Sequence, residues 1–477
     1  MSEFAAWGHY IHGSYTKADT DQSLQEYDPR DGSAIWSVAR GTATEIDQAV
    51  RSAQSAQAAW ADTKPLDRGR ILTRIANRLR EDIERFAAIE QCETGKPLPQ
   101  ARGDLEGAAQ YFEFYGGLAP GLEGEAIDIG PERLCYTRRE PYGVVGIILP
   151  WNAPLNQAAR AAAPALAAGN AVVAKPSEFT SVSLLCLAEL AVQCGLPAGL
   201  LNVVTGTGLE AGAALVRHPG IAKIAFTGSV RAGHEIGLMA AERTLPVTLE
   251  LGGKSPNIVF ADANLEDAVA GSLRAFTVNA GQACIAGTRC LVERQVYDTF
   301  VAQLAVAAGK LRVGAADGDH VGPIITEAQY QRVQDYFDIA EREGARALVG
   351  GAIEGGEGRG WFVPPTIFAD APATARIARE EIFGPVCVVM PFEDEADAIR
   401  MANDTDYGLA AGLWTRDVGR AHRVAARLQA GQIYINEYPA GGVETPFGGF
   451  KQSGIGREKG REALHHYSQL KTVILKL

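Results

Sequence analysis

VVGIIL, at Val144–Leu149, decides the fold, because it is the first of several short apolar runs that alternate with helical patterns. Six small or apolar residues in a row are typical of a strand buried on both faces. Further runs of this kind are Ala171–Ala174, Leu201–Val204 and Ile224–Phe226. The intervening helical patterns are Ala158–Ala168, Val182–Cys194, Leu209–Val216 and Val230–Ala241. This alternation predicts an α/β fold with parallel strands joined by helical crossovers.

The segments on either side of this alternation predict further elements. A polar lead-in at residues 1–42 precedes a helical region, Thr44–Leu118, which starts at the capping box Thr42–Glu45. Gly124–Pro141 has the short alternating segments of a hairpin. A looser alternation of strand and helix after Cys284 predicts a second α/β domain. The final apolar run, Lys471–Leu477, has no partner nearby in sequence, so we expect it to pair with another segment or another subunit.

Composition limits the classes of protein. A chain of 477 residues exceeds one hydrophobic core and predicts two or three domains. The net charge of -12 and the pI near 5.3 argue against nucleic acid or an anionic membrane as the main partner. No secretory signal and no apolar run of about 18 residues is present, so we expect a cytoplasmic protein. The seven cysteines are scattered and follow no metal-ligand spacing, which predicts reduced thiols and no metal.

Polar motifs follow the predicted strands, where an open parallel sheet binds its ligands. Asn152, after the first strand, has side-chain donors for a developing oxyanion. Lys175 and Glu178, after the next strand, could hold ribose hydroxyls, although a solvated charge pair would look the same. Thr227 and Ser229 precede a helix, whose N-terminal amides could bind a pyrophosphate.

Cys284 lies in the run Gly281–Arg289, which reads GQACIAGTR and follows a helical pattern. Most free cysteines are small buried hydrophobic residues, but a thiolate on a connection between elements can be a nucleophile. Glu250 comes 284 − 250 = 34 residues earlier, at the end of a strand-like segment. A carboxylate near a cysteine can activate water to hydrolyse an acyl group on sulfur. The separation of the two residues in the sequence does not by itself show that their side chains are close in the fold.

Seven motifs together are similar to those of one family. In order they are PWNAP, KPSE, FTGS, ELGGKSP, GQACIAGTR, EEIFGP and PFGGFKQSG, beginning at residues 150, 175, 226, 250, 281, 380 and 446. From about Asp28 to the C-terminus, the chain resembles the aldehyde dehydrogenase superfamily, in its NAD(P)-dependent, non-phosphorylating, hydrolytic branch. The resemblance implies a Rossmann-like parallel-sheet cofactor domain, a second α/β catalytic domain and a small β oligomerisation element. We expect these at residues 1–122 with 142–252, at 253–467, and at 123–141 with 468–477.

The resemblance also implies roles for individual residues. Cys284 would be the nucleophile, Glu250 the general base and Asn152 the oxyanion donor. Cofactor contacts are expected from Trp151, Lys175, Ser177, Glu178, Thr227, Gly228, Ser229, Leu251, Glu381 and Phe383. Substrate contacts are expected from Tyr115, Ala283, Ile285 and Tyr438. The expected partners are an aldehyde and further copies of the chain, in a homodimer or homotetramer.

Two specificities can be predicted from these residues. Glu178 would repel a ribose 2′-phosphate about 4 Å away by several kcal/mol, so we expect NAD as the cofactor and NADP to be less favoured. The predicted substrate residues are mostly aromatic or small, which favours an uncharged aliphatic or aromatic aldehyde. Aromatic rings can equally hold a quaternary ammonium, so betaine aldehyde or an aminoaldehyde stays open.

Other functions remain possible at this point. A cysteine-dependent esterase or acyltransferase could use Cys284 and Glu250, but it would not need the KPSE, FTGS or EEIFGP motifs. A CoA-acylating dehydrogenase is a closer alternative, although a glutamate at position 250 favours water as the acyl acceptor. A non-catalytic protein would tolerate the loss of Cys284, Glu250 or Asn152, and the presence of all three argues against it.

Overall fold

The computed structural model describes residues 6–17, 23–316, 318–353 and 360–477. The predicted lead-in and domains include residues 1–5, 18–22, 317 and 354–359. Those parts of the predictions lie outside the described residues. Strands β1 to β12 are Ala6–Trp7, Tyr10–Ile11, Ser14–Tyr15, Ser23–Tyr27, Ala34–Ala39, Ala126–Ile127, Arg133–Pro141, Val144–Ile148, Ala171–Lys175, Leu201–Val203, Lys223–Thr227 and Val247–Glu250. Strands β13 to β23 are Pro256–Val259, Arg289–Glu293, Arg346–Val349, Thr366–Ala369, Val386–Phe392, Tyr407–Gly408, Ala410–Trp414, Gln432–Ile435, Phe450–Lys451, Gly454–Ile455 and Ser468–Lys476.

Helices α1 to α15 are Ala43–Asp62, Pro65–Glu81, Ile83–Thr94, Leu98–Leu118, Pro154–Ala167, Val182–Gln193, Ala213–Arg217, Val230–Ala241, Leu265–Thr277, Tyr297–Gly309, Glu327–Arg342, Arg376–Arg379, Glu395–Asn403, Val418–Ala425 and Gly460–His466. The capping box at the start of α1 is present, with Thr42 and Glu45 each bonding the other's backbone. The predicted helical region is four helices, broken at Pro65, at Asp82 and at Gly95, whose φ of +67° ends α3. The predicted helix at Leu209–Val216 begins as a π-helical turn, Gly208–Gly212, and its two glycines weaken the α-helical preference.

The first sheet has the strand order β22-β12-β11-β8-β9-β10-β2-β3. Its central strands, from β12 to β10, are all parallel, so the predicted α/β fold with helical crossovers is confirmed. Every residue of β8 is buried, because helices cover both faces of the sheet. Strand order reverses between β8 and β11: the chain runs outward through β9 and β10 on one side and through β11 and β12 on the other. Such a switch point leaves a crevice beyond the carboxyl ends of the two strands.

The second sheet has the order β15-β16-β17-β14-β13-β19-β20, and β15 is its antiparallel edge strand. Residues 251–255 carry the chain from β12 in the first sheet to β13 in the second. The chain later returns, because β22 pairs with β12, and Ala463, Leu464 and Tyr467 pack into the core of the first sheet. The predicted domain boundaries stay a prediction, and residues 454–467 pack with the first sheet although that division groups them with the second domain.

A separate three-stranded sheet has the order β23-β7-β6. The predicted hairpin forms, since β6 pairs with β7 in antiparallel register. The C-terminal strand β23 lies along β7 from Ser468 opposite Pro141 to Lys476 opposite Arg133. Its pairing with another segment is therefore confirmed, and its outer edge has no strand partner among the described residues. Across these same residues, no helix has both the length and the apolar character needed to cross a membrane.

Candidate active site

One cavity of about 180 Å³ lies at the switch point of the first sheet. The loops that follow β8 and β11 both line it, as the reversal of strand order predicts. Residues from the second-sheet half of the chain complete its wall. The lining residues are Pro150, Trp151, Asn152, Gln157, Thr227, Gly228, Ser229, Glu250, Leu251, Gly252, Cys284, Gln329, Arg332, Glu381 and Phe383. The structure therefore brings together all three predicted catalytic residues and seven of the ten predicted cofactor residues.

Cys284 lies on the connection between α9 and β14, and this connection has a strained backbone. Asn279, Ala280 and Gly281 have φ angles of 53°, 53° and 72°, in the left-handed region that disfavours residues other than glycine. At Gly281 a Cβ would come within 2.0 Å of the carbonyl oxygen of Gly384, so only glycine fits there. Strained residues of this kind cluster at functional sites, and here they turn the chain into the cavity.

The side chain of Gln282 ties this connection to a neighbouring loop. Its Nε2 donates to the backbone carbonyls of Asn279 at 2.9 Å and Pro323 at 3.2 Å. Its Oε1 accepts from the backbone N–H of Ile325 at 2.9 Å. The buried amide is thus fully bonded. These bonds fix the backbone two residues before Cys284.

Asn152 is held beside the Cys284 connection through both its side chain and its main chain. Its Nδ2 donates to the carbonyl of Gln282 at 2.8 Å. Its own carbonyl accepts from Asn279 Nδ2 at 2.9 Å and from Lys96 Nζ at 3.2 Å. A side-chain amide has two N–H donors, so Asn152 keeps one for a group bound at Cys284.

The carboxyl group of Glu250 is buried in the wall of the cavity, and neither oxygen has a hydrogen-bond partner among the described residues. Burial raises its pKa well above the ordinary value of a glutamate. The carboxylate of Glu458 adds to this rise, and the positive charges of Arg160 and Arg457 oppose it. An unpaired buried carboxyl is costly, and its two oxygens can bond water or a ligand.

The thiol of Cys284 shares this environment. Burial raises its pKa to about 12, and the carboxylates of Glu381 and Glu250 act in the same direction. The guanidinium of Arg160 opposes them, because it stabilises a thiolate. The thiol is therefore protonated at neutral pH in this arrangement. It has to lose that proton before it can act as a nucleophile.

The N-terminus of α8 opens into the cavity. Ser229 caps this helix, and its Oγ accepts from the backbone N–H of Ala232 at 3.3 Å. Gly228 and Thr227 precede it in the cavity wall, and Thr227 Oγ1 accepts from Arg160 at 3.2 Å. Free amides and the helix dipole make such an end suitable for a phosphate.

Glu381 and Phe383 lie on the loop after α12. Glu381 Oε1 accepts from the backbone N–H of Gly253 at 3.1 Å, and burial raises the pKa of this carboxyl to about 7. Phe383 has a left-handed backbone, with φ of 61°. Its ring packs edge to face on Trp151, with the centroids 5.3 Å apart. Gln329 holds the loop, since its Nε2 donates to the carbonyl of Phe383 at 2.9 Å.

The other three predicted cofactor residues lie at the end of β9, the neighbour of β8, and do not line the cavity: Lys175 is its last residue, and Ser177 and Glu178 follow it. Lys175 Nζ lies 3.1 Å from Glu178 Oε2. Burial lowers the pKa of Lys175, and Glu178 partly restores it. Ser177 Oγ accepts from the backbone N–H of Phe179 at 3.4 Å. These residues extend the row of polar groups along the carboxyl end of the sheet.

The predicted substrate residues are also outside the cavity wall. Tyr115 is buried, and its hydroxyl donates to the carbonyl of Gly460 at 3.1 Å. The hydroxyl of buried Tyr438 donates to the carbonyl of Ile285. Ala283 and Ile285 flank Cys284 in the chain. Both tyrosine hydroxyls are thus already bonded within the protein, and the four assignments stay predictions.

Several residues of the site did not emerge from the sequence. Gln157 and Arg160 are buried polar positions in α5, a helix that is apolar apart from these two residues and Asn156. This pattern could have singled them out, because a buried charge needs a partner. Lys96 lies in a segment that reads as a helix stop, yet its ammonium supports Asn152 and pairs with Glu90 at 2.8 Å. Gln329 of α11 carries no comparable signal.

These features fit a dinucleotide. The cavity is at a switch point, the capped N-terminus of α8 can receive a pyrophosphate, and Lys175 brings a cation to the next strand end. Trp151 and Phe383 add an aromatic pair beside Cys284 in the cavity wall. Such a cavity, with a cysteine and an unpaired carboxyl group in its wall, defines the class of dinucleotide-dependent oxidoreductases that use a thiol.

Comparison with known proteins agrees with this class. Residues 15–473 match the profile of the aldehyde dehydrogenase family. A crystal structure of a putative aldehyde dehydrogenase from Burkholderia cenocepacia is 48% identical, with a TM-score of 0.96 over 98% of this chain and 99% of that one. Betaine aldehyde dehydrogenase from Staphylococcus aureus, in complex with NAD+, is 36% identical, with a TM-score of 0.96 over 98% and 97%. Indole-3-acetaldehyde dehydrogenase from P. syringae, also in complex with NAD+, is 38% identical, with a TM-score of 0.97 over 98% and 96%.

The chain belongs to the aldehyde dehydrogenase family. It is an oxidoreductase, and two of the similar structures named above are complexes with NAD+. The two similar enzymes named for a substrate act on aldehydes of different charge and shape, so similarity does not select the substrate of this chain.

Proposed function

We propose that this protein oxidises an aldehyde to the carboxylic acid through a covalent adduct on Cys284. The observation that carries this proposal is that Cys284, Asn152 and Glu250 line one cavity at the switch point of the first sheet. A nucleophile, an oxyanion donor and a base are the three groups that the reaction needs.

The first step belongs to Cys284 and Asn152. The Sγ atom adds to the carbonyl carbon as the S–H bond breaks, and the thiol proton passes to solvent water. The oxygen of the adduct becomes negatively charged and accepts from the free N–H of Asn152 and from the backbone N–H of Cys284. Because Asn152 is already held by Gln282 and Lys96, its donor needs little rearrangement in the transition state.

Cofactor contacts divide between the two halves of the chain. Ser229 and the N-terminus of α8 would hold the pyrophosphate, while Lys175 and Glu178 would hold the adenosine ribose. Glu381 and Phe383 would hold the nicotinamide half, and Glu381, which now accepts from Gly253, would accept from a ribose hydroxyl. When bound, NAD supplies the hydride acceptor. Glu178 disfavours the 2′-phosphate of NADP by charge repulsion.

The last step belongs to Glu250. After oxidation the acyl group is joined to Cys284 as a thioester, and Glu250 removes a proton from the water that attacks it. Its unpaired oxygens leave room for that water. Only the deprotonated carboxylate can act as the base. The raised pKa of Glu250 therefore predicts that hydrolysis accelerates as the pH rises through that pKa.

The test is turnover of purified protein with NAD and a panel of aliphatic, aromatic and cationic aldehydes. We expect reduced nicotinamide and the acid in equal amounts, and a mass increase on the Cys284 peptide after an acid quench. If no aldehyde reduces NAD while a nitrophenyl ester is hydrolysed without cofactor, the protein is an esterase. If turnover requires CoA and yields an acyl-CoA, the acceptor is not water.

We also propose a homo-oligomer, a dimer or tetramer, built on the sheet of β6, β7 and β23. The outer edge of β23 has no strand partner in the described part of the chain, and Leu134, Leu470 and Ile474 are exposed on this sheet. An apolar strand edge in water invites pairing. Sedimentation of the purified protein should give a multiple of 50.7 kDa, and Ile474→Lys should shift it towards the monomer. A wild-type monomer at all concentrations would refute the assembly.

A further inference from the structure

A cluster of two cations and one ring lies beside the candidate active site, and none of the proposed steps uses it. The basic cluster consists of Arg160, Phe447 and Lys459. The guanidinium carbon of Arg160 is 5.1 Å from the centroid of the Phe447 ring, and Lys459 Nζ is 5.6 Å from it. Both distances allow a cation–π interaction. One buried ring thus orients two positive charges.

Arg160 joins this cluster to the cavity. It is buried, it donates to Thr227 Oγ1 in the cavity wall at 3.2 Å, and its Nε lies 2.5 Å from Glu458 Oε2. Its charge also reaches Cys284, whose pKa it lowers. Because Glu458 is buried and close, Arg160 and Glu458 form a neutral pair. This pair fixes the position of the guanidinium.

Since Arg160 is paired with Glu458, the ammonium of Lys459 is the positive charge of the basic cluster that is left unpaired. Among the described residues its amine has no carboxylate within 4.0 Å. Its backbone is left-handed, with φ of 60°, a conformation strained for lysine. The next residue is held on both sides: Gly460 N–H donates to Val443 at 2.9 Å and its carbonyl accepts from Tyr115 at 3.1 Å. The strained turn therefore holds a half-buried, unpaired ammonium over Phe447.

The carboxyl groups near Cys284 do not cancel this charge. Burial raises the pKa of Glu250 and of Glu381, which favours their neutral forms. Glu458 is committed to Arg160, and Glu444 is exposed to solvent. Within the basic cluster, Lys459 is therefore the cation without a carboxylate partner in the described part of the chain.

We propose that the preferred aldehyde carries a carboxylate, which Lys459 binds while Arg160 and Phe447 keep that ammonium in place. The inference rests on the proposed function and names the substrate class of the same site. An aldehyde with an ammonium group would be repelled by the same charge, which argues against the betaine aldehyde and aminoaldehyde alternatives. Uncharged aldehydes remain substrates but lack this interaction.

The test compares three aldehydes of similar length: succinic semialdehyde, its neutral isostere 4-methylpentanal, and 4-aminobutanal. A charge-assisted hydrogen bond predicts a kcat/KM about ten- to a hundredfold higher for the semialdehyde than for the isostere. Lys459→Met keeps an unbranched side chain at the strained position and should reduce this ratio towards one. Lys459→Glu should reverse the preference towards 4-aminobutanal. Lys310→Met, at an exposed position directly after α10, should leave the ratio unchanged.

A pH series gives a second readout. Burial, followed by Arg160, lowers the pKa of Lys459 to about 8, while Glu444, Cys284 and Glu458 act to raise it. The cation is present below that pKa, so the ratio for the two substrates should fall as the pH rises through about 8. Effects of Glu250 on hydrolysis cancel in the ratio, because both aldehydes pass through the same steps.

Two negative results have different meanings. If no aldehyde is oxidised, the proposed function fails. If 4-methylpentanal is oxidised as well as the semialdehyde, or if Lys459→Met leaves the ratio unchanged, the proposed function stands and the carboxylate inference is overturned.

Discussion

The two sheets contribute to the active site in different ways. The first sheet contributes residues at the ends of regular parallel strands, such as Asn152 after β8, Ser229 after β11 and Glu250 at the end of β12. The second half of the chain contributes Cys284 and Phe383 from irregular loops. In the first half, topology alone places the side chains at a common edge. In the second half, each loop has to be held in place.

The loops of the second half are held by residues with a left-handed backbone and by side-chain amides. Positive φ angles occur at Asn279 and Ala280, before Cys284, and at Phe383 itself. Gln282 and Gln329 donate to the backbone of these two loops. The contrast teaches that the strand ends are positioned by the fold, whereas the nucleophile is positioned by local strain and specific hydrogen bonds.

The largest effect should come from the nucleophile. Cys284→Ala removes the atom that we propose forms the covalent adduct, so aldehyde-dependent NADH formation should fall by about 10⁶-fold. Cys194→Ala is the matched control, because Cys194 is half-buried near Arg74 and away from the cavity. Steady-state turnover with NAD measures both variants. Retained turnover in Cys284→Ala would remove the thiol from the mechanism.

Glu250→Gln tests the base at the end of β12. Loss of a general base typically slows a step by about 10² to 10⁴-fold, and here the affected step is hydrolysis of the thioester. A burst of NADH equal to the enzyme concentration should therefore precede a slow steady state. In the wild type the steady rate should rise with pH, since only the deprotonated carboxylate accepts a proton. Glu235→Gln, at an exposed position of α8, should show neither a burst nor a loss of rate.

Much of the first half could be predicted from the sequence. The run of apolar residues predicts the strand at Val144–Leu149, and the end of that strand predicts a ligand-binding position at Asn152. A small hydroxyl residue before a helical pattern predicts the cap at Ser229. In the second half Cys284 and Phe383 were predicted as site residues, but the conformations of their loops were not, because nothing in Asn279 or Phe383 signals a left-handed backbone. The burial of the Arg160 side chain was also not predicted, because an arginine in a sequence is usually taken as a solvated charge unless its partners are known.

The predicted substrate contacts show the same limit. The resemblance to the family implies that Tyr115 and Tyr438 contact the substrate, and the structure gives each hydroxyl a backbone acceptor. Sequence pattern identifies an aromatic residue near a site, but it does not show which way the ring points. Lys459, by contrast, has no motif-level signal and becomes informative only through its unpaired amine.

Asn152→Ala tests the donor on the regular side of the comparison. Removal of one oxyanion donor should lower kcat by about 10² to 10³-fold, or about 3–4 kcal/mol. The carbonyl of Gln282 would lose its bond from Asn152, so thermal unfolding should be measured beside kcat. Binding of NAD should persist, because the cofactor contacts lie elsewhere. An unchanged kcat would exclude Asn152 from the site.

Gln282→Leu tests the irregular side. The substitution keeps the approximate size but leaves the carbonyl of Pro323 and the N–H of Ile325 without their partner. Each unpaired buried group costs about 1–3 kcal/mol, and a displaced nucleophile can lose about a hundredfold in rate. We expect a lower melting temperature together with slower acylation. Gln303→Leu, on the exposed face of α10, is the control for both measurements, and equal behaviour of the two variants would show that the loop does not depend on Gln282.

The smallest effect should come from Glu178, which lies on the regular side but beyond the cavity wall. Its carboxylate is partly exposed and paired with Lys175, so solvent and the ammonium both weaken its repulsion of a 2′-phosphate. Glu178→Gln should therefore raise kcat/KM with NADP relative to NAD by only about tenfold, while turnover with saturating NAD changes little. Glu178, which follows β9, would then affect the choice between NAD and NADP but not the rate of the reaction at Cys284. If the variant instead lost turnover with both cofactors to the extent expected for Asn152→Ala, the division between strand ends that bind and strand ends that react would be wrong.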